Sequence, residues 1–166
     1  GVEVVDCGVL PTPALAGAAL AEGTLSIMVT GSHIPADRNG LKFYTSAGEF
    51  TKADEGPLRD AVAGWSLKKA DPRIAQLNAA AAYVARFIDG LPKDVLHGQR
   101  VGVWLHSSAA YKVLPAILDG LGAEVVSLGA SENFVPVDTE AVDGETRAQL
   151  AAWVAEHKLD ALVSTD

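Results

Sequence analysis

The sequence predicts an α/β protein made of two consecutive α/β units, with helix-covered sheets that are mainly parallel or mixed. Short apolar runs of strand length alternate with helical patterns along the chain, which is typical of this fold class. Hydrophobic residues make up 49% of the 166 residues, enough for a sizeable core. A break in the pattern at residues 64–71 marks the boundary between the two units, which we expect at residues 1–66 and 67–166.

Residues 1–66 begin with a strand, a loop and a helix. The apolar run 2–5 predicts a buried strand, and the turn Pro11-Thr12-Pro13 precedes an alanine-rich helix that extends to about Leu20. Two further strands are predicted over 24–29 and 41–44 from their β-rich apolar content, and a helix is predicted to start near Pro57. The connection between these two strands follows a strand's carboxyl end, where open α/β sheets usually bind ligands.

Residues 67–166 alternate helices and strands throughout. Asp71 and Pro72 suit the N-cap and first turn of a helix that runs to Gly90, with apolar residues at helical spacing from Ile74 onward. Strands are predicted over 100–106, 123–128 and 159–163, and helices over 111–121 and 145–158. This alternation favours a mainly parallel, helix-covered sheet.

Composition excludes several classes of partner and site. A formal charge of −8 and a pI near 4.9 argue against a nucleic-acid or anionic-membrane partner. Cys7 is the only cysteine, so the chain forms no internal disulfide. Because no apolar run is long enough to cross a bilayer and no leader pattern precedes the first strand, we expect a cytoplasmic protein. The two chain ends, each at a predicted strand, suggest a fragment.

The stretch Thr30-Gly31-Ser32-His33-Ile34-Pro35 connects the second and third predicted strands, and it admits two interpretations. It is either a surface hairpin or a loop that presents Ser32 as a reactive group. Adjacent Ser32 and His33 point in opposite directions in an extended loop, and the chain has no Gly-x-Ser-x-Gly elbow, phosphate-binding loop, GxGxxG or metal motif. Phosphoryl transfer through Ser32 remains, with Lys42 as a nearby cation, while an ordinary hairpin stays open.

We call the stretch Thr30-Gly31-Ser32-His33-Ile34-Pro35 the serine loop. Together with the following Asn39-Gly40-Leu41-Lys42, it resembles the active-site loop of the α-D-phosphohexomutases, the family of phosphomannomutase and phosphoglucomutase. The usual form in that family is Thr-Ala-Ser-His-Asn-Pro followed by Asn-Gly-x-Lys. The upstream Gly8-Val9-Leu10-Pro11-Thr12-Pro13 resembles the family's Gly-x-x-Pro-Thr-Pro turn. The resemblance implies the phosphohexomutase fold, with residues 1–66 as the latter part of domain 1 and residues 67–166 as domain 2, truncated at the metal-binding loop.

The resemblance also implies roles for four residues. Ser32 would be the phosphoserine that exchanges a phosphoryl group with a phosphorylated hexose, His33 would line the substrate side of the loop, and Lys42 would be the general acid or base. Family members hold Mg²⁺ with the three aspartates of an Asp-Gly-Asp-x-Asp-Arg loop and a phosphoserine oxygen. Asp166 stands where the first of those aspartates belongs, so Asp166 and an oxygen of phosphorylated Ser32 would be two of the ligands, and the given sequence stops before the other two aspartates. The other partner implied is the remainder of the same polypeptide, and we expect the isolated chain to be inactive.

Three departures from the family pattern keep alternatives open. Ile34 replaces the usual Asn, Gly31 replaces Ala, and residues 104–109 replace an Asp-x-x-x-Gly loop. A divergent, non-catalytic relative that acts as a binding or assembly module is therefore the alternative to a mutase, and a serine-dependent hydrolase is a third possibility. His106, at the end of a predicted strand, is expected to be a hydrogen-bonded structural residue.

Overall fold

The computed structural model describes residues 3–31, 38–66, 73–137 and 141–165. It shows a mixed α/β chain that divides into two compact units, Gly1–Ala79 and Ala80–Asp166, which we call unit 1 and unit 2. The predicted α/β class is confirmed, with two parallel sheets and one antiparallel sheet among the described residues instead of a mixed sheet. Among the described residues, no helix is long and apolar enough to span a membrane.

Unit 1 contains two small sheets and two helices. Its elements are β1 (Val4–Asp6), α1 (Thr12–Glu22), β2 (Ser26–Thr30), β3 (Gly40–Thr45), β4 (Gly48–Glu49), α2 (Lys52–Val62) and β5 (Ile74–Gln76). Strands β2, β3 and β4 form an antiparallel sheet in chain order, while β1 and β5 form a separate parallel pair. Helix α1 packs against β2 and β3.

Helix α2 begins at Lys52 rather than near Pro57, because a capping box fixes its first turn. The Thr51 backbone N–H donates to Asp54 Oδ2 at 2.8 Å, and the Thr51 side chain accepts from the Asp54 backbone. Pro57 therefore lies inside the helix instead of at its start.

The helix predicted to start at Asp71 begins instead at Ala79, and that part of the prediction is wrong. Ile74–Gln76 is extended and pairs in parallel with Val4–Asp6. Gln76 Nε2 donates to Asp6 Oδ2 at 3.1 Å, and Leu77 N donates to Asp6 O at 3.1 Å. The backbone groups of Ile74–Gln76 are therefore satisfied by pairing with another strand, although the spacing of apolar residues in this segment suggests a helix.

Unit 2 is built on a three-stranded parallel sheet. Its elements are α3 (Ala79–Gly90), which starts at the boundary between the units, β6 (Arg100–His106), α4 (Val113–Gly120), β7 (Glu124–Ala130), α5 (Gly144–His157) and β8 (Ala161–Ser164). The strand order is β7-β6-β8, with both pairs parallel, as the alternating pattern predicted.

The core of unit 2 lies around the central strand and between two helices. Val101 and Val103 of β6 are buried. Val113, Ile117 and Leu121 form a buried cluster in and after α4, against which Tyr83, Phe87 and other apolar residues pack. Burial of these side chains supplies the main driving force for folding of unit 2.

One face of the unit 1 sheet is apolar and exposed. Val29 pairs with Leu41, and Ile27 lies on the same face two residues earlier. Their side chains are 60%, 57% and 55% exposed, respectively. Because α1 packs against β2 and β3 while these residues stay exposed, nothing among the described residues of unit 1 covers this face, which we call the open sheet face.

Candidate functional site

The serine loop closes the β2–β3 hairpin. Thr30, the last residue of β2, pairs with Gly40, the first residue of β3. A side chain at Gly31 would place its Cβ 3.6 Å from Arg38 O, so the two ends of the connection lie close together. Ser32 and His33 fall within this connection but outside the described residues, and their assignments stay predictions.

Lys42 lies on β3 just after the loop. It pairs with Met28 and is exposed. Because side chains alternate along a strand, Lys42 shares a face with Gly40, and the two residues lie about 7 Å apart along the strand. The fold therefore places Lys42 on the strand that leaves the serine loop, and its catalytic role stays a prediction.

The turn that precedes α1 is held by one carboxylate. Asp6 Oδ1 accepts from Gly8 N at 2.8 Å, and Gly8 has a φ of +69°, which suits glycine. The hydrogen bond from Gly8, followed by that from Gln76, lowers the pKa of Asp6. Pro11 is the N-cap of α1, and Pro13 lies in its first turn. The motif Pro11-Thr12-Pro13 thus forms the start of α1 rather than a turn before it.

The carboxyl edge of the unit 2 sheet gathers a second group of residues. Parallel strands β6 and β8 end at the same edge, where His106 Nε2 lies 2.7 Å from Thr165 O. The hydroxyl groups of Ser108 and Thr165 are also hydrogen-bonded to each other. His106 and Ser108 are 5% and 7% exposed. The expectation of a hydrogen-bonded histidine is confirmed, and we call these three residues the Thr165 clamp.

The sequence pattern did not identify Ser108 or Thr165. The available signal was a pair of hydroxyl residues, Ser107 and Ser108, directly after a buried strand. Ser107 Oγ accepts from Val135 N at 2.9 Å, which ties the segment after β7 to the end of β6. Ser131 N donates to His106 O at 2.8 Å at the same edge. The carboxyl ends of all three strands are therefore joined by hydrogen bonds.

The predicted Mg²⁺ ligands offer donor atoms of the kind that the ion prefers. No group of three or more His, Cys, Asp or Glu side chains that could hold a metal ion occurs within the described ranges. The expected ligands, Asp166 and phosphorylated Ser32, lie outside them. Both would offer hard oxygen atoms, which Mg²⁺ prefers. Thr165, next to Asp166, lies at the carboxyl edge of the sheet, where ligand sites of α/β folds usually occur.

Trp104 belongs to the segment that departs from the family pattern, and it has a packing role. Its ring contacts those of His106 and Trp153 edge-on, with centroids 5.1 and 6.4 Å away. Trp104 and Trp153 also line a cleft of about 320 Å³ beside the first turns of α5. The change at position 104 is therefore accommodated by the packing of unit 2.

Sequence comparisons place similarity along the whole chain. Residues 1–67 match the family model described as phosphoglucomutase/phosphomannomutase, alpha/beta/alpha domain I. A phosphomannomutase of Sinorhizobium fredii is 47% identical and one of Salmonella muenchen is 43% identical, each over 100% of this chain. A phosphoglucosamine mutase of Dinoroseobacter shibae is 32% identical, also over 100% of this chain.

The aligned proteins are much longer than this chain. It covers 36%, 35% and 38% of those three relatives, respectively, or little more than a third of their length. The fold is similar to the crystal structure of a phosphoglucomutase/phosphomannomutase family protein from Burkholderia thailandensis, with a TM-score of 0.61 and 26% identity. That alignment covers 78% of this chain and 30% of the other.

Proposed function

We propose, on the premise that this chain belongs to the phosphoglucomutase/phosphomannomutase family, that it is part of an enzyme interconverting hexose 1-phosphates and hexose 6-phosphates. The observation that carries the proposal is the family's serine-loop sequence at the end of the β2–β3 hairpin, in a chain similar over its whole length to mutases. Relatives of this kind support an isomerase that acts on phosphorylated sugars.

Phosphorylated Ser32 would begin the reaction by transferring its phosphoryl group to a free hydroxyl of the hexose monophosphate. The bond between the Ser32 oxygen and phosphorus breaks, a bond from the sugar oxygen to phosphorus forms, and the product is a hexose bisphosphate. The bisphosphate then returns its other phosphoryl group to Ser32 and leaves as the isomeric monophosphate. The phosphoenzyme is thus regenerated, and no phosphate is consumed.

Two neighbouring residues would assist this exchange. Lys42, as the neutral amine, would take the proton of the attacking sugar hydroxyl, and the ammonium so formed would return that proton to the sugar oxygen that leaves in the second transfer. Its exposed position on β3, near the base of the loop, leaves it open to substrate. His33, adjacent to Ser32, would line the substrate side of the loop.

Mg²⁺ is the cofactor we propose, with Asp166 and an oxygen of phosphorylated Ser32 among its ligands. When bound, the ion would offset the negative charge on the phosphoryl group. This chain would supply two of the oxygen donors, and the Thr165 clamp holds the residue before Asp166 at the edge of a sheet.

Mannose phosphate is the first sugar to assay. The two relatives named phosphomannomutase are 47% and 43% identical to this chain, whereas the phosphoglucosamine mutase of Dinoroseobacter shibae is 32% identical. Higher identity to the phosphomannomutases supports a mannose substrate over a glucosamine one.

The remainder of a longer polypeptide is the partner we propose for the open sheet face. Ile27, Val29 and Leu41 expose a contiguous apolar surface, of a kind that usually marks an interaction site. The matched family domain is described as alpha/beta/alpha, which implies helices on both faces of its sheet.

We expect the 166-residue chain by itself to lack mutase activity, since a bisphosphate must be held in the site while it reorients.

The test is the Ser32→Ala variant of the full-length polypeptide that carries this sequence, with Ser46→Ala as its control. Ser46 is an exposed serine in the turn between β3 and β4. We expect Ser32→Ala to lose conversion of mannose 1-phosphate to mannose 6-phosphate and to lose the mass increase of about 80 Da that a phosphoryl group adds. Ser46→Ala should retain both.

Activity of Ser32→Ala equal to the wild type would refute the proposal. A wild-type polypeptide that carries no phosphate and converts no hexose phosphate would favour the non-catalytic alternative. Labelling of Ser32 by a covalent serine-hydrolase probe would instead favour the hydrolase.

A further inference from the structure

His106 carries one satisfied and one unsatisfied ring nitrogen. Nε2 lies 2.7 Å from Thr165 O, and a carbonyl oxygen can only accept, so Nε2 must carry the hydrogen. Nδ1 is buried and has no hydrogen-bond partner among the residues that the structure describes. Since burying a polar atom without a partner is costly, this histidine is poorly explained by stability alone.

The backbone at His106 adds a second cost. Its φ is +32°, although it is the last residue of a strand and is not a glycine. Such conformations persist only where surrounding structure imposes them, and they occur preferentially at functional sites. Here the positive φ accompanies the hydrogen bond to Thr165, which is 59 residues further along the chain.

Ser108 makes the contact with Thr165 a two-point attachment. Its hydroxyl bonds the Thr165 hydroxyl and also accepts from Ala110 N at 3.0 Å, which anchors Ser108 in its own loop. Thr165 is thus held through its carbonyl by His106 and through its side chain by Ser108. Because both its backbone and its side chain are held, the direction in which the backbone leaves Thr165 is fixed.

We infer that His106 and Ser108 are positioning residues that fix Thr165 and thereby set the point from which Asp166 is presented to the metal ion. The inference rests on the proposed function, because Asp166 is a ligand only in that proposal. Neither His106 nor Ser108 contacts the metal or the sugar in this role. They act through Thr165, as outer groups orient the ligands of a metal site.

The experiment uses the full-length phosphorylated polypeptide and Mn²⁺ as a paramagnetic probe for the Mg²⁺ site. His106→Phe keeps the ring but removes the donor to Thr165 O, whereas His106→Gln keeps a donor near the Nε2 position. We expect His106→Phe to weaken Mn²⁺ binding about tenfold, at the low end of the effect of outer-shell groups, and His106→Gln to bind nearly as the wild type does. Phe also removes the unpartnered Nδ1, so its urea-unfolding midpoint should stay close to that of the wild type.

A second set of variants tests the hydroxyl contact without changing the histidine. Ser108→Ala and Thr165→Val each remove one side of the same pair, and valine keeps the branched shape of threonine. Each should weaken Mn²⁺ binding, and the double variant should be no weaker than the weaker single variant. Ser131→Ala is the matched control, because it removes a hydroxyl at the same sheet edge that bonds to the backbone of Asn133 in its own loop.

Two results would overturn the inference while leaving the mutase proposal intact. In the first result, the wild type is active and the variants His106→Phe, Ser108→Ala and Thr165→Val all bind Mn²⁺ with the wild-type affinity. The other is a histidine nitrogen NMR spectrum that places the His106 hydrogen on Nδ1, which would exclude donation to Thr165 O. A wild type that neither converts hexose phosphates nor binds Mn²⁺ would overturn both proposals. If His106→Phe fails to fold, Ser108→Ala and Thr165→Val decide the outcome.

Discussion

Gly129 on β7 is the position where a single methyl group should be most disruptive. Its φ is +55°, and the strand register passes from the pair Trp104–Leu128 to His106–Ala130. A Cβ there would lie 2.8 Å from Trp104 Cδ1 and 2.8 Å from Trp153 Cη2. Gly129→Ala therefore combines left-handed strain of about 1–2 kcal/mol with overpacking of about 1–3 kcal/mol.

The expected net cost of Gly129→Ala is about 3 kcal/mol, after a gain of about 0.5 kcal/mol from the less flexible unfolded chain. At roughly 2–4 °C per kcal/mol for a chain of this size, the melting temperature should fall by about 6–12 °C. Circular dichroism at 222 nm and tryptophan fluorescence would report the unfolding of the purified chain.

Gly144→Ala is the matched control for this change. Gly144 is the first residue of α5, it has no positive φ, and no atom of a described residue beyond its own helix and chain neighbours lies within 4 Å of its ideal Cβ. The melting temperature should be unchanged or slightly higher. A cost below about 1 kcal/mol for Gly129→Ala would refute the argument, since it would mean that both indole rings move into the neighbouring cleft without loss.

Two further predictions concern α5 and the open sheet face. Asp143→Ala should lower the melting temperature at pH 7, because Asp143 Oδ1 accepts from Thr146 N at the start of α5. The backbone and side-chain hydrogen bonds of Thr146 lower the pKa of Asp143 below its ordinary 3.8. The stabilisation by Asp143 is therefore present above pH 3.8 and is lost as the pH falls further. In thermal melts from pH 7 to pH 2, the melting temperatures of the wild type and Asp143→Ala should converge at the acid end. A constant difference between the two proteins would contradict it. The double variant Ile27→Thr/Val29→Thr should change the stability of the isolated chain by less than about 0.5 kcal/mol and reduce the fluorescence of an apolar dye, yet destabilise the full-length polypeptide; equal stability of both full-length proteins would refute the docking proposal.

The parallel sheet of unit 2 could be predicted almost residue by residue. Strand β6 has the predicted bounds, because a buried parallel strand produces a continuous apolar run between turn signals. The error at Ile74 has a different origin. The short segment Ile74–Gln76 is compatible either with the first turn of a helix or with a strand. Only its pairing with Val4–Asp6, which is distant in sequence, decides for the strand.

The site was predictable only in part, for chemical reasons. A motif such as the serine loop identifies residues whose reactivity depends on their own side chains. The Thr165 clamp depends on which residues meet at the ends of β6 and β8, and ordinary serine and threonine residues carry no such signal in sequence. Lys42 lies between these cases, since its type suggested a role and the hairpin register gave its position.

The pairing of β1 with β5 also sets the order in which unit 1 can assemble during synthesis. The β2–β3 hairpin is local and can close within microseconds, whereas Asp6 and Gln76 are 70 residues apart. At ribosomal speeds of about 5–20 residues per second, Asp6 must wait roughly 4–14 s for its partner to be made. Throughout that interval the edge of Val4 and Val5 is open to pairing with a neighbouring nascent chain. Unit 1 therefore depends on its last strand for protection of its first.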